Sequence, residues 1–187
     1  RNYFGGAQDN STTFRDRTGI LGPVVTDSND HYIVLGGDGC QVGMTKKNTA
    51  GNQFLFCAAQ SGQMYRMKLF DFSSGLYTLI KPTGSADGDF ITYFHLDPDN
   101  TDFLYYVSKN SIYRTGDAAT VSASNWTLMD GVTTNVTGSI FALATTRGQY
   151  TANNHLFIGT STGKIYRLKD PQWGASGNQP FDITPSG

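Results

Sequence analysis

Short apolar runs separated by polar turns recur along the chain at intervals of about 50 residues. Three segments share one pattern: an apolar run, a brief polar turn and a second apolar run. These segments cover residues 54–66, 103–114 and 156–167. Runs rich in Phe, Tyr, Ile and Val fit the pleated surface of a sheet, and Gly62 and Gly163 suit tight turns. The pattern therefore predicts three copies of one antiparallel hairpin.

Each copy ends in the dipeptide Tyr-Arg. The copies are Tyr65-Arg66, Tyr113-Arg114 and Tyr166-Arg167, with a degenerate Phe14-Arg15 nearer the start. The arginines are spaced by 51, 48 and 53 residues, and a period of this length indicates a supersecondary unit repeated along the chain. We expect the tyrosines to pack between units. We expect the arginines to join each unit to the next through a main-chain carbonyl or an aspartate, rather than to form a carboxylate-binding cluster.

Each hairpin is flanked by two further strand-like runs, one upstream and one downstream. The upstream runs are 39–44, 90–96 and 139–144, and the downstream runs are 75–80, 125–129 and 181–184. Four short strands at this period are typical of a β-propeller blade. We therefore predict an all-β chain, namely a partial β-propeller of four-stranded antiparallel blades. The predicted blades are 37–82, 88–131 and 138–185, with a partial blade and connection in 1–36.

The number of repeats bears on the partners of the chain. Propellers close with about four to eight blades, and an open arc would leave two exposed sheet edges and half a core. We therefore expect a segment of a larger ring, whose partners are the remaining blades of the same parent protein or other subunits. The alternative is a small chain that closes the ring by self-association.

Composition narrows the function classes. No stretch has a clear 3.6-residue apolar period, so helix should be nearly absent. The net charge of -1 favours neither nucleic acid nor an anionic membrane as a partner, and no apolar run is long enough to span a bilayer. The polar, lysine-poor composition suits an extracellular or cell-surface protein.

Four short motifs resemble one superfamily. Residues 3–11 (YFGGAQDNS) and 36–39 (GGDG) resemble paired segments of sialidase-like propellers with BNR repeats, which are related to the Asp box. Residues 96–102 (LDPDNTD) resemble the Asp-Pro-x-Asn-Pro hairpin of the same proteins, and 125–128 (NWTL) resemble the end of an Asp box. The superfamily includes secreted or surface propellers of Bacteroidota and xyloglucanase-type propellers. The resemblance implies the propeller fold without fixing an activity.

The departures from that superfamily decide between functions. The chain lacks the Phe-Arg-Ile-Pro segment of sialidases and the Arg-Thr-Asp-Ile-Gly-Gly segment of xyloglucan-cleaving enzymes, so no catalytic residue carries over. We therefore favour a non-enzymatic module that binds protein or glycan. The first alternative is part of a glycoside hydrolase whose catalytic residues lie largely outside these residues. The second is a structural subunit of an extracellular or virion assembly.

Gln8, Asp9, Asn10 and Asp38 are candidate ligand-binding residues. Asp9 and Asp38 could act as the carboxylate pair of a glycosidase, which requires two carboxyls about 5–10 Å apart. Alternatively, both aspartates hold turns, and Asp38 fixes the segment that leads into an inner strand. Gln8 and Asn10 could bind a sugar hydroxyl.

The remaining candidates concern calcium and cysteine chemistry. Asp97, Asp99 and Asp102 form an oxygen-rich run that could bind calcium, although Pro98 favours an ordinary turn. No other metal or cofactor is expected, because the three histidines are scattered. Separately, a turn centred between residues 48 and 49 would place Cys40 opposite Cys57. The two cysteines then form either a cross-strand disulfide or two buried free thiols.

Overall fold

The structure, a computed structural model, describes residues 3–15, 31–69 and 77–186. Within these residues the chain is all-β, with fifteen short strands in four antiparallel sheets and one six-residue helix, α1 (Asp130–Asn135). The sheets are open and none closes into a barrel. The predicted all-β class and the near absence of helix are therefore confirmed for the described residues.

Strands adjacent in sequence pair with one another in every sheet. Sheet 1 contains β1 (Tyr3–Gly6), β2 (Thr12–Arg15) and β3 (Tyr32–Leu35). Sheet 2 contains β4 (Val42–Met44), β5 (Phe54–Ala58), β6 (Met64–Lys68) and β7 (Tyr77–Leu79). Sheet 3 contains β8 (Phe94–Leu96), β9 (Leu104–Ser108), β10 (Ser111–Thr115) and β11 (Thr127–Leu128). Sheet 4 contains β12 (Ile140–Thr145), β13 (His155–Thr160), β14 (Ile165–Lys169) and β15 (Phe181–Asp182).

Sheets 1 to 4 fall in turn within the predicted ranges 1–36, 37–82, 88–131 and 138–185. Residues 16–30 of the first range lie outside the described residues, as do residues 75 and 76 of the predicted strand 75–80. Whether each sheet is a propeller blade stays a prediction.

The hydrophobic core consists of three layers, one between each pair of successive sheets. Alternation along the strands produces this arrangement, because neighbouring side chains in a strand point to opposite faces. Between sheets 1 and 2 the buried residues are Phe14, Leu35, Leu55, Cys57, Ala59, Met67 and Leu69. Between sheets 2 and 3 they include Phe56, Met64, Ile80, Phe94, Leu104 and Tyr106. Between sheets 3 and 4 they include Tyr105, Ile112, Val132, Ile140, Leu156, Ile158, Tyr166 and Leu168.

The Tyr-Arg dipeptides occupy equivalent places, on the third strand of sheets 2, 3 and 4. The arginines of sheets 2 and 3 donate hydrogen bonds to main-chain carbonyls of the following sheet. Arg66 Nη1 donates to Ala119 O at 2.5 Å, and Arg114 Nη1 donates to Pro171 O at 2.8 Å and Gly174 O at 3.0 Å. In all three contacts the acceptor lies in the connection between the third and fourth strands. The Arg–carbonyl link expected from the repeat is therefore present at two of the three copies.

The degenerate copy Phe14-Arg15 is offset by one residue from the others. In sheet 1 Phe14 pairs with Phe4, at the place where Arg66 pairs with Phe56 in sheet 2. The hairpin hydrogen bond Ala7 N to Ser11 O corresponds to Ala59 N to Gln63 O and gives the same offset. The expectation that Phe14 matches the repeated tyrosine was wrong, because the spacing between repeats does not show where the dipeptide lies relative to its hairpin turn.

In sheets 1, 2 and 3 the hairpin between the equivalent second and third strands also bonds the segment that leads into the following sheet. Gly39 N, which leads into sheet 2, donates to Ala7 O of the sheet 1 hairpin at 3.1 Å. Ser61 N of sheet 2 donates to Phe90 O at 3.1 Å, and Ile140 N of sheet 4 donates to Lys109 O of sheet 3 at 2.8 Å. The approach is close, since a Cβ built on Gly39 would lie 2.2 Å from Ser11 O. Each of these hairpins thus bonds to the sheet that comes next in the sequence.

Candidate functional site

Two adjoining grooves lie at the junction of sheets 2 and 3. Their volumes are about 410 and 470 Å³, and Thr45, Lys46 and Thr101 line both. The grooves lie beside the loop after β4 (45–53) and the loop after β8 (97–103). Other lining residues include Met44, Lys47, Asn48, Phe54, Leu96 and Asn100. We treat these grooves as the candidate site, because ligand sites are concave and usually occupy a few hundred cubic ångströms.

Lys46 connects the two loops that form the groove rim. Its main-chain N–H donates to Thr101 Oγ1 at 3.1 Å, and its ammonium group donates to Asp99 O at 3.0 Å. Within the first loop, Asn48 Oδ1 accepts from Ala50 N and Asn52 N at 3.0 and 2.9 Å. An asparagine that accepts from N–H groups further along its own loop closes a local turn. The rim is therefore fixed by contacts within and between the loops.

Asp99 extends this network to sheet 4. Its carboxylate accepts two hydrogen bonds from Arg147, at 2.8 and 3.1 Å, and a third from Gly148 N at 2.7 Å. These hydrogen bonds, with that from Arg147 the largest contribution, lower the pKa of Asp99 from its ordinary value of 3.8 to about 2. Asp99 is thus a carboxylate at neutral pH and joins three successive loops.

Asp97 anchors the same loop from beneath. It is buried, and its Oδ1 accepts from Asp99 N at 2.9 Å and Asn100 N at 3.1 Å. Its Oδ2 accepts from Gln172 Nε2 at 3.0 Å, and Gln172 is itself buried in the connection before β15. A buried carboxylate that accepts several hydrogen bonds is strongly held, since each donor that is lost would leave part of a desolvated group without a partner.

These contacts bear on the calcium expectation for Asp97, Asp99 and Asp102. The carboxylates of Asp97 and Asp99 accept hydrogen bonds from protein donors, and Asp102 N is engaged by Asn100 Oδ1 at 3.2 Å. In the part of the chain that the structure describes, no group of three or more His, Cys, Asp or Glu residues could hold a metal ion. The loop geometry therefore gives calcium no support.

The groove floor includes apolar residues of the first strands β4 and β8. Met44 is 46% exposed, and Phe94 and Leu96 of β8 pack in the core between sheets 2 and 3. His95, between them, has its Nε2 3.0 Å from Thr145 Oγ1 of sheet 4. Burial lowers the pKa of His95, against an opposing effect of Asp97, and favours a neutral ring. The site thus combines an apolar floor with a polar rim.

The residues singled out near the start of the chain lie together, away from the grooves. Asp9 N donates to Asp38 Oδ1 at 2.9 Å, and Asn10 Nδ2 donates to Gln8 O at 3.4 Å. Asp38 N donates to Gln60 Oε1 of sheet 2 at 3.1 Å. The bonded atoms show Asp38 joining the sheet 1 hairpin to the segment that leads into sheet 2. This arrangement is the turn-holding role named as the alternative to catalysis.

Cys40 and Cys57 are free thiols, of which Cys57 is buried and Cys40 half-buried. The predicted register of their two strands was wrong. Cys57 lies opposite Val42 rather than Cys40, so the turn is centred one residue later than predicted. Burial raises the pKa of both thiols, which favours their neutral form. Of the two alternatives, the structure contains free thiols.

Sequence reasoning missed the groove residues Lys46 and Thr101 and the neighbouring Arg147. A signal was nevertheless present. Thr45-Lys46 and Thr146-Arg147 are separated by 101 residues, the same distance that separates Tyr65 from Tyr166. A basic residue at the same place in two equivalent loops indicates that Lys46 and Arg147 have related contacts at one end of the sheets.

No helix among the described residues has the length and apolar character needed to cross a bilayer. Comparison with known proteins found no matching family model, no matching curated protein and no matching solved structure.

Proposed function

We propose that the four sheets are blades of a β-propeller of the sialidase-like type. Two observations support the propeller arrangement, and the sialidase-like type rests on the resemblance of the short motifs alone. Each sheet packs on the next through an apolar layer, and the first strands of sheets 2, 3 and 4 lie beside one another in sequence order. Neighbouring first strands are expected where blades surround a common axis.

We further propose that this chain is a non-catalytic binding module of a secreted or cell-surface protein. The observation that carries this proposal is the groove between sheets 2 and 3, whose rim loops are joined by hydrogen bonds. Side-chain hydroxyls and amides of Thr45, Asn48 and Thr101 lie around an apolar floor that includes Met44. A few polar groups around an apolar surface are typical of sites that bind small or extended ligands.

A glycan is the ligand that this chemistry fits best. Sugar hydroxyls would exchange hydrogen bonds with the rim, and the C–H faces of the rings would pack on the floor. Because the two grooves share Thr45, Lys46 and Thr101, an extended chain could lie across both. A protein segment that presents polar side chains is the second class of ligand to test.

The test is a glycan array and a peptide array probed with the chain and two groove variants. Met44→Arg fills the floor, and Lys47→Ala removes an exposed rim residue for which the structure gives no hydrogen bond within the described residues. We expect Met44→Arg to reduce binding at least about tenfold and Lys47→Ala to reduce it less. Circular dichroism checks that both variants fold.

Gln8→Ala is the matched control, because Gln8 is exposed and lies at the other end of the sheets. It should leave binding unchanged. Loss of binding in Gln8→Ala but not in Met44→Arg would move the site to the hairpin end. Hydrolysis of a glycoside by the chain would overturn the non-catalytic assignment.

A further inference from the structure

Trp173 lies exposed in the connection between β14 and β15. The residue is 70% exposed, although its ring meets Phe103 edge to face, with the ring centroids 4.9 Å apart and an interplanar angle of 82°. An edge-to-face contact between two rings covers at most one face of either ring. At least one face of the indole is therefore free of Phe103 and open to a ligand.

The two neighbours of Trp173 in the chain are held by side chains of sheet 3 and its loops. Gln172, on one side, is buried and donates to Asp97 Oδ2 at 3.0 Å. Gly174, on the other side, accepts a hydrogen bond from Arg114 Nη1 at 3.0 Å. The indole is thus presented at a fixed place, and a ligand that binds it does not have to order the loop first.

Trp173 closes the exposed end of the apolar layer between sheets 3 and 4. Phe103, which it contacts, is buried in that layer. The strands of both sheets lie among the described residues. The exposure of Trp173 therefore does not depend on what covers the outer face of sheet 4, which is the opposite side of that sheet.

One loop separates Trp173 from the grooves. The loop 97–103 follows the first strand of sheet 3, and its residues Asn100 and Thr101 line a groove on the side of sheet 2. At the end of the same loop, Phe103 contacts Trp173 on the side of sheet 4. A ligand that lies in the grooves and is long enough to cross this loop would reach the indole.

The charges beside Trp173 favour an uncharged ligand. Arg114 donates to the carbonyls of Pro171 and Gly174, and Arg147 donates to the carboxylate of Asp99. An anionic group binds best to a cation that is free to pair with it, and these two arginines are already engaged. The face of an aromatic ring, which carries partial negative charge, attracts C–H groups instead.

We propose that Trp173 is a second subsite for the glycan of the grooves, and that one sugar ring of an uncharged chain stacks on its indole. This inference rests on the proposed function, because the grooves hold the rest of the chain. The sugar ring turns its C–H face to the indole and keeps its hydroxyls in water. The ligand class is therefore a neutral oligosaccharide that extends from sheet 2 to sheet 4.

The test compares long and short neutral oligosaccharides by isothermal titration calorimetry. The probes are hexasaccharides and disaccharides of glucose, mannose, xylose and galactose, with a hexasaccharide of galacturonic acid as the anionic probe. Trp173→Ala should weaken hexasaccharide binding roughly tenfold and leave disaccharide binding unchanged, because only the longer chain reaches the indole. Met44→Arg should weaken both. The anionic hexasaccharide should bind more weakly than the neutral ones.

Two further variants separate stacking from a structural effect. Phe181→Ala is the matched control, because Phe181 is 67% exposed and lies on the outer face of sheet 4, so it should bind as the wild type does. Trp173→Tyr keeps an aromatic ring and should retain most of the affinity that Trp173→Ala loses. Circular dichroism checks that each variant folds.

Tryptophan fluorescence reports on the indole directly. The chain has two tryptophans, and the other, Trp126, is half-buried with its Nε1 donating to Ile80 O at 2.8 Å. Trp126→Phe leaves Trp173 as the sole emitter. A neutral hexasaccharide should shift its emission to shorter wavelengths and protect it from quenching by acrylamide. A purely structural role of Trp173 would give no such protection.

Three results would overturn the proposal. If Trp173→Ala binds the hexasaccharides as tightly as the wild type while Met44→Arg binds them weakly, the subsite is wrong and the groove function stands. If the wild type binds none of the neutral hexasaccharides, both are wrong. If the indole is protected by a peptide and by no oligosaccharide, the surface belongs to a protein partner.

Discussion

Arg114 and Arg167 occupy the same place in neighbouring sheets but have different surroundings. Arg114 lies in the interface between sheets 3 and 4, where its guanidinium group reaches two carbonyls and the aromatic ring opposite it is buried. Arg167 lies on an exposed face beside Phe181, which is 67% exposed. The dipeptide is therefore the same in both sheets, and its contribution to the free energy of unfolding depends on whether another sheet covers it.

This comparison separates the position of the dipeptide, which the repeat determines, from its stabilising contacts, which the neighbouring sheet provides. Strand pairing places the dipeptide identically in both sheets, because pairing depends on local hairpin geometry. Stabilisation requires removal of apolar surface from water and a partner for the guanidinium group. Matched substitutions at the two positions should therefore differ widely in effect.

The largest difference is expected between Ile112→Ala and Ile165→Ala. Ile112 is completely buried, so its truncation leaves a cavity and should lower the free energy of unfolding by about 3 kcal/mol. Ile165 is 41% exposed, and its truncation should cost about 0.5 kcal/mol in the monomer. Urea denaturation at low protein concentration measures both. Equal effects would show that the outer face of sheet 4 is already covered in the monomer.

A smaller difference is expected between Arg114→Met and Arg167→Met. The first should cost about 2 kcal/mol, because it removes charged hydrogen bonds and leaves the carbonyls of Pro171 and Gly174 without this donor. The second should leave monomer stability nearly unchanged. The same denaturation measurement compares them, and a costly Arg167→Met would contradict the comparison.

Tyr105→Phe sharpens the comparison at the aromatic position. Sheets 2 and 4 have Phe56 and Phe157 opposite the arginine, whereas sheet 3 has Tyr105. The Tyr105 hydroxyl is buried and has no hydrogen-bond partner among the described residues. Removing a desolvated, unpaired hydroxyl should stabilise the fold by about 1 kcal/mol. A loss of stability would reveal a partner, such as a buried water molecule.

The smallest effect concerns the exposed end of the interface between sheets 3 and 4. Asp99 has a pKa of about 2, below its ordinary value, and the ionised form is therefore favoured in the folded protein. Its contribution to stability should be fully present above about pH 4 and be lost as the pH falls toward 2. The loss should be slight, because exposed ion pairs contribute little. Arg147→Gln should raise the pKa of Asp99 in an NMR titration, and an unchanged value would contradict the assignment.

The repeat was the part of the fold that the sequence could predict. Periodic apolar runs placed Tyr113 and Tyr166 on third strands, because strand alternation and turn residues are local properties. The offset at Phe14 and the register at Cys57 were not predictable from spacing. Both depend on the pairing register of two strands relative to the turn between them, which the spacing between repeats does not report.

The groove was missed at the sequence level for a different reason. Its rim depends on the contact of Lys46 with Asp99 and of Asp99 with Arg147, each across about 50 residues of sequence. No local pattern reports which of several charged loops will meet. The acidic residues predicted a calcium site because they are close together in the sequence. The basic residues that bind Asp99 lie in other repeats.

The one-way contacts between successive sheets have a consequence for synthesis on the ribosome. Each hairpin offers hydrogen-bonding groups to the sheet that follows it in sequence, as at Ala7, Ser61 and Lys109. A sheet that has emerged from the ribosome therefore offers hydrogen-bonding groups to the sheet that is translated next. The next sheet can pack on it before the rest of the chain has been synthesised. We expect this vectorial order to limit mispairing among sheets of such similar pattern.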